Sequence, residues 1–139
     1  MKAEKSHGIN DIEIGMSASI TKIITDKDVK EFADLSGDNN PVHLDEEYAM
    51  QSRYKKRIAH GLLSSSFFSA LFGTKIPGEG CVYVSQTLNF LRAVYIGDTV
   101  VATVLVTNIN KSSKRVFFET TCTVKNKKVI DGIAEIFIP

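Results

Sequence analysis

Apolar residues recur along this chain with two different periods, and the change-over falls near Gly80. Before it the pattern is helical in pieces. Met16 to Ile24 alternates, with Ile20 followed by Ile23 and Ile24, and predicts a first strand. Thr25 with Asp28 three positions on is a variant capping box, so a helix starts there. Val29, Phe32, Ala33 and Leu35 mark its apolar stripe, and Ser36-Gly37 ends it with glycine as the C-cap. After a loop over 38–44, Asp45 predicts the cap of a short helix through Met50, with Glu46 and Glu47 against its positive end. From Gly61 to about Phe72 no residue is charged. A helix without a solvated face is a buried one. Gly73 and Ile76-Pro77-Gly78 end it.

Beyond Gly80 the stretches 81–93, 99–109, 116–124 and 129–138 are rich in Val, Ile, Thr and Phe. Turn clusters separate them: Ile96-Gly97-Asp98, residues 108–114, and Lys125-Asn126-Lys127-Lys128. Connections this short require antiparallel neighbours. The expectation is a meander of about four long strands, with the first strand as a fifth. One apolar helix and one sheet make an α+β domain in which a curved antiparallel sheet wraps around a central buried helix, the arrangement called a hot-dog fold. Such a sheet leaves a long edge, and edges are covered or paired, so a homodimer is expected.

A chain of 139 residues suits one domain, here residues 11–139, preceded by a polar stretch over 1–10 expected to be frayed. The formal net charge of +1 gives no reason to invoke nucleic acid or an anionic membrane as partner. Cys81 and Cys122 fit no metal spacing and read as buried free thiols. No run of eighteen apolar residues occurs, and Met1-Lys2-Ala3-Glu4-Lys5 leads into no apolar segment, so a cytoplasmic protein is expected.

Candidate chemistry concentrates in Asp38-Asn39-Asn40-Pro41-Val42-His43 and in Ala59-His60-Gly61. Asp and His are the side chains most often used to move protons near neutral pH. The proline keeps Asp38, Asn40 and His43 off a regular helix, and a short loop can aim all three at one water molecule. Asn40 precedes the proline and is therefore extended. Gly61 opens the buried helix, where the first N–H groups lack internal partners and a missing side chain lets an oxygen come close. His60 reads as structural and His7 as without a role. Ser64, Ser65 and Ser66 lack a nucleophile elbow and read as core filling, bonded to carbonyls one turn back.

The segment from Phe32 to Ala49, Phe-Ala-Asp-Leu-Ser-Gly-Asp-Asn-Asn-Pro-Val-His-Leu-Asp-Glu-Glu-Tyr-Ala, resembles the signature of the hydratase 2 family, the MaoC-like R-specific enoyl-CoA hydratases. Ile58-Ala59-His60-Gly61-Leu62-Leu63 resembles the segment that opens that family's central helix. The resemblance implies reversible syn hydration of a trans-2-enoyl-CoA to the (R)-3-hydroxyacyl-CoA, without metal or redox cofactor, in a homodimer. It further implies that Asp38 and His43 are the catalytic pair, that Asn40 helps hold the water, and that the Gly61 backbone forms the oxyanion site. Arg53, Lys55, Lys56 and Arg57 would then meet the phosphates of coenzyme A or form a solvated loop, with Lys111, Lys114 and Arg115 as a second candidate cluster. Phe67, Phe68, Leu71 and Phe72 are candidates to line or block an acyl tunnel. The same chemistry on acyl carrier protein is the nearest alternative, a hot-dog thioesterase the next, and a non-enzymatic acyl-CoA binding module the third.

Overall fold

Local capping chemistry shapes the first third of the chain. Strand β1 (Ser17–Ile23) hands over to helix α1 (Asp26–Ser36) at Thr25. The Thr25 hydroxyl accepts from the Asp28 N–H at 3.1 Å, and the Asp28 carboxylate accepts from the Thr25 N–H at 3.0 Å. Gly37 ends α1 at φ 81°, a left-handed turn that suits glycine. Val29 and Ala33 face inward, but Leu35, expected beside them, is 87% exposed. Two positions past Ala33 is the far side of a helix with 3.6 residues per turn.

Helix α2 (Pro41–Leu44) is a single turn, so His43 sits on a helix where the sequence predicted an irregular loop. A proline in the first helical position lacks only an N–H that the turn does not use. Asn40 is extended, as expected before proline, and caps the turn: its Oδ1 accepts from the Val42 N–H at 3.3 Å. Helix α3 (Glu46–Gln51) begins at Asp45, whose carboxylate accepts from the Tyr48 N–H at 3.1 Å. Helix α4 (Gly61–Thr74) is the long apolar one.

The structure, a computed structural model, describes residues 6–139. Of the stretch expected to be frayed, residues 1–5 lie outside the described residues. The remainder is held in place: the His7 N–H donates to the Pro77 carbonyl at 2.7 Å, and Ile9–Asp11 forms a 3₁₀ turn.

Strands β2 (Val82–Gln86), β3 (Asn89–Phe90), β4 (Thr99–Asn110), β5 (Arg115–Val124) and β6 (Lys127–Phe137) complete an antiparallel sheet in the order β1-β4-β5-β6-β2, with β3 also on β6. Only β4, β5 and β6 form the expected meander. The stretch 81–93, expected as one strand, is broken between β2 and β3. There the Thr87 carbonyl oxygen lies 1.8 Å from where a Cβ on residue 132 would stand, so only Gly132 lets the chain cross β6 and bend.

Alternate residues of β4 (Val100, Ala102, Val104, Val106) and of β5 (Val116, Phe118, Thr120, Cys122) are buried against Phe68, Leu71 and Phe72 of α4. The curved sheet thus embraces the central helix. Only part of α4 is covered, however. Leu62, Ser66 and Ser69, spaced along one face, are exposed, contrary to the fully buried helix predicted. Cys122 is buried and Cys81 half-buried; both are free thiols. No helix among the described residues is long and apolar enough to cross a membrane.

Candidate active site

His43 is buried, and its Nδ1 lies 2.7 Å from the Ile58 carbonyl oxygen. A carbonyl only accepts, so Nδ1 carries the proton and Nε2 keeps its lone pair. Burial first, and then His60 and Arg57, hold the His43 pKa below its ordinary 6.5, while the Ile58 bond and Asp38 pull upward. The result is a neutral imidazole with a bare Nε2, a proton acceptor near neutral pH.

The turn that carries His43 is clamped by residues 57 and 58. The Ile58 N–H donates to the Val42 carbonyl at 3.3 Å, and Arg57 Nε donates to the His43 carbonyl at 2.6 Å. Arg57 also lies 2.7 Å from an Asp26 carboxylate oxygen and 3.3 Å from one of Glu46. Arg57 is 8% exposed and turns its donors to three elements of its own chain, away from the solvent in which coenzyme A phosphates would lie. A guanidinium fork suits such a junction, because one planar group reaches several acceptors.

Asp38 is exposed on the loop between α1 and α2. One carboxylate oxygen accepts from the Asn40 N–H at 3.1 Å, and the backbone carbonyl accepts from His60 Nε2 at 3.0 Å. Side-chain atoms of Asp38, His43 and His60 come within 4.8 Å of one another. Two imidazoles and a carboxylate are donors a divalent metal can use. His43 Nδ1 and His60 Nε2 are turned to carbonyls, which leaves one bare nitrogen on each ring, and the two rings stack at 3.8 Å.

These groups open onto a cleft of about 480 Å³ lined by Asp38, His43, His60 and Gly61, with apolar walls that include Phe32, Phe90 and Leu91. Gly61 heads α4, and His60 before it supplies no side-chain cap, so the uncapped positive end of a 14-residue helix borders the cleft. Asn40 is outside this lining, its Oδ1 committed to capping α2. Ser65 and Ser66 donate to the Leu62 and Leu63 carbonyls, as expected of helix serines, whereas the buried Ser64 Oγ finds no partner among the described residues and Ser66 is exposed instead of filling the core. None of Phe67, Phe68, Leu71 and Phe72 lines the cleft; the last three are core residues.

Of the basic candidates only Arg53 reaches the cleft. Lys55 is an exposed turn residue at φ 67°, and Lys56 lies 5.2 Å over the Tyr95 ring beside a separate hollow with Asp26 and Glu46. Arg115 pairs with Glu135 at 2.5 Å. The register places Arg115 opposite Phe137 and Cys122 opposite Ile130, a cleft residue. Those rungs are roughly 24 Å apart along β5, so the Lys111, Lys114 and Arg115 cluster lies far from the cleft of its own chain.

The structure adds one cation that sequence reasoning missed, Arg92. A bulge at Val129 brings it there: Cys122 pairs with Ile130 and Thr123 with Lys128, and the spare Val129 carbonyl accepts from the Leu91 N–H at 2.8 Å. No local pattern around Arg92 signals this.

Residues 10–131 match the family model of the MaoC like domain. The chain belongs to the MaoC-like family. This MaoC-like chain is 50% identical over 133 residues to the (R)-specific enoyl-CoA hydratase of Rhodospirillum rubrum, a match that covers 96% of this chain and 92% of that protein. It superposes on the unliganded R-hydratase of Pseudomonas aeruginosa with a TM-score of 0.91 at 40% identity, over 96% of this chain and 86% of that one. It is also 34% identical to a mitochondrial 3-hydroxyacyl-[acyl-carrier-protein] dehydratase of Arabidopsis thaliana, over 92% of this chain and 78% of that protein.

Proposed function

We infer that this protein is an R-specific enoyl-CoA hydratase, and that Asp38 and His43 activate the water. The observation that carries the reading is the His43 ring, its Nδ1 proton committed to the Ile58 carbonyl and its Nε2 bare, sharing one cleft with the Asp38 carboxylate and the uncapped start of α4. Hydrating a 2-enoyl thioester places a hydroxyl on C3 and a proton on C2. Negative charge passes through the thioester oxygen on the way. A water bound between Asp38 and His43 Nε2 loses one proton to this pair as its oxygen attacks C3. The pair then returns a proton to C2 from the same side, so addition is syn and gives the R product. Because the two groups are close enough to couple, the proton chemistry belongs to the pair and not to one member. The Gly61 amide, at the positive end of α4, receives the charge on the thioester oxygen. Phe32, Phe90 and Leu91 give the enoyl group an apolar wall. Arg53 and Arg92 line the same cleft and would meet the phosphates of the carrier.

The likeness to the (R)-specific hydratase over nearly the full length of both chains supports coenzyme A as the carrier. Loss of the enoyl chromophore from crotonyl-CoA, with the hydroxyl configuration of the product determined, is the test. An S product, or release of free thiol with the chromophore intact, would overturn the reading in favour of a different hydratase geometry or a thioesterase. Parallel assay of the acyl-carrier-protein thioester decides between carriers. A homodimer is supported by the uncovered β2 edge, where Val82, Tyr83 and Val84 are exposed. Light scattering at micromolar concentration reads it directly.

A further inference from the structure

His60, which the sequence reading left as a structural residue, touches both members of the catalytic pair. Its ring is 3% exposed and lies between Phe32, at 4.8 Å between centroids, and His43, stacked at 3.8 Å with 29° between planes. Its Nε2 is 3.0 Å from the Asp38 carbonyl oxygen, which fixes the tautomer: Nε2 donates, and Nδ1, buried, finds no partner among the described residues. The other hydrogen bonds of the loop are short-range. The Gly37 N–H reaches Ala33, the Asp38 N–H reaches Ser36 Oγ, the Asn39 N–H reaches Gly37, and the Asn40 N–H reaches the Asp38 carboxylate. Such contacts shape a loop but cannot locate it relative to a helix that begins more than twenty residues later. The His60–Asp38 bond does that, and the same imidazole gives His43 its packing surface.

We propose that His60 is the positioning residue of this active site, setting the separation of Asp38 from His43 and tying both to the start of α4. The proposal rests on the hydratase reading above. His60 itself exchanges no proton with substrate, because its one N–H is spent on a backbone carbonyl and its other nitrogen is enclosed. It acts through Asp38, whose exposed carboxylate would otherwise ride on a loop held from outside only through the α2 turn that Arg57 and Ile58 clamp. Misplacement of a reacting group by about 1 Å costs on the order of 10²-fold in rate.

The test is a set of His60 variants in the full chain, each also combined with Asp38→Asn. His60→Phe keeps a ring against His43 and removes the donor. It should lower kcat by roughly ten- to a hundredfold with KM nearly unchanged. His60→Gln, which can still offer an N–H to the Asp38 carbonyl, should recover most of that loss, and thermal melts should not follow the same order. In the Asp38→Asn background His60→Phe should cost far less than in the wild type, because residues acting through one group are not additive. His60→Asn, too short to reach the carbonyl, is a second donor-less variant for the same cycle should the phenylalanine variant fail to fold. An unchanged kcat in the donor-less variants, a loss that appears in KM, or an equal loss with and without the Asp38 carboxylate would each overturn the proposal. Nitrogen-15 NMR of the imidazoles reads the tautomer without any turnover. The Nε2–H form of His60 is expected, and an Nδ1–H form would overturn the proposal even if no enoyl thioester proved to be a substrate. A wild-type chain that hydrates none of them would overturn the functional reading alone.

Discussion

Replacing Gly61 by alanine separates two reasons for a glycine at the head of α4. The added Cβ would stand 2.5 Å from both Cδ1 and Cε1 of Phe90 and 3.3 Å from its Cζ. Carbon atoms in contact settle at about 3.5–4.0 Å, so the ring must retreat by roughly 1 Å or more. Phe90 is free to do so, being 54% exposed and on a strand of only two residues. A side chain displaced this far from its rotamer costs on the order of 0.5–1.5 kcal/mol, which lowers Tm by about 2–6 °C in a chain of this size. The fold survives the change. Turnover should not, because the methyl group remains beside the amide that receives the thioester oxygen, and losing an oxyanion donor costs about 10²–10³ in kcat. Phe90→Ala removes the clash without touching the amide. When Gly61→Ala/Phe90→Ala is compared with Phe90→Ala alone, the melting temperatures should agree while kcat stays depressed by a similar factor. Steady-state hydration of a short 2-enoyl-CoA and thermal melts on the four proteins give both numbers. Equal kcat in Phe90→Ala and the double variant would mean that Gly61 is only a seat for the Phe90 ring, and the oxyanion assignment would fall.

Asp38→Asn and His43→Ala should each lower kcat by roughly 10²–10⁴, and the double variant should be scarcely worse. Near-normal hydration by Asp38→Asn would end the water-activation model. Arg57→Met removes a charged hydrogen bond to the His43 carbonyl worth about 1.5–3 kcal/mol. It should therefore lower Tm and kcat while leaving KM for the coenzyme A substrate little changed; a selective rise in KM would restore Arg57 to the phosphate site. The pKa of His43 is depressed in the folded chain, so between that value and the unfolded 6.5 the unfolded chain binds the extra proton. The stability contributed by neutral His43 is thus present above pH 6.5 and lost as pH falls through the folded pKa, and the acid limb of kcat/KM should have its midpoint below 6.5. An NMR titration of His43 and the pH profile of hydration check this together, and a midpoint at or above 6.5 would contradict it.

Determinants confined to a few neighbouring residues were legible in the sequence alone. The Thr25–Asp28 box, the Gly37 stop, the Asp45 cap and the alternation of β4 and β5 all act within one turn or one pleat, so their residue types and spacing suffice. The Asp38–His43 motif was legible for the same reason, with the two groups five positions apart on one short connection. What the sequence left open depends on contacts between distant segments. Arg57 looked like one more cation in a basic run, because only the tertiary structure brings Asp26, Glu46 and the His43 carbonyl around its guanidinium and takes it out of water. Arg92 looked like a strand residue until the Val129 bulge drew its segment to the cleft. His60 was read as structural because the resemblance gives it no proton role, and its partners, the Asp38 carbonyl and the His43 ring, lie 22 and 17 positions away. Periodicity says which face of an element leaves water. Which polar groups meet there, and with which nitrogen bare, is decided only when the segments pack.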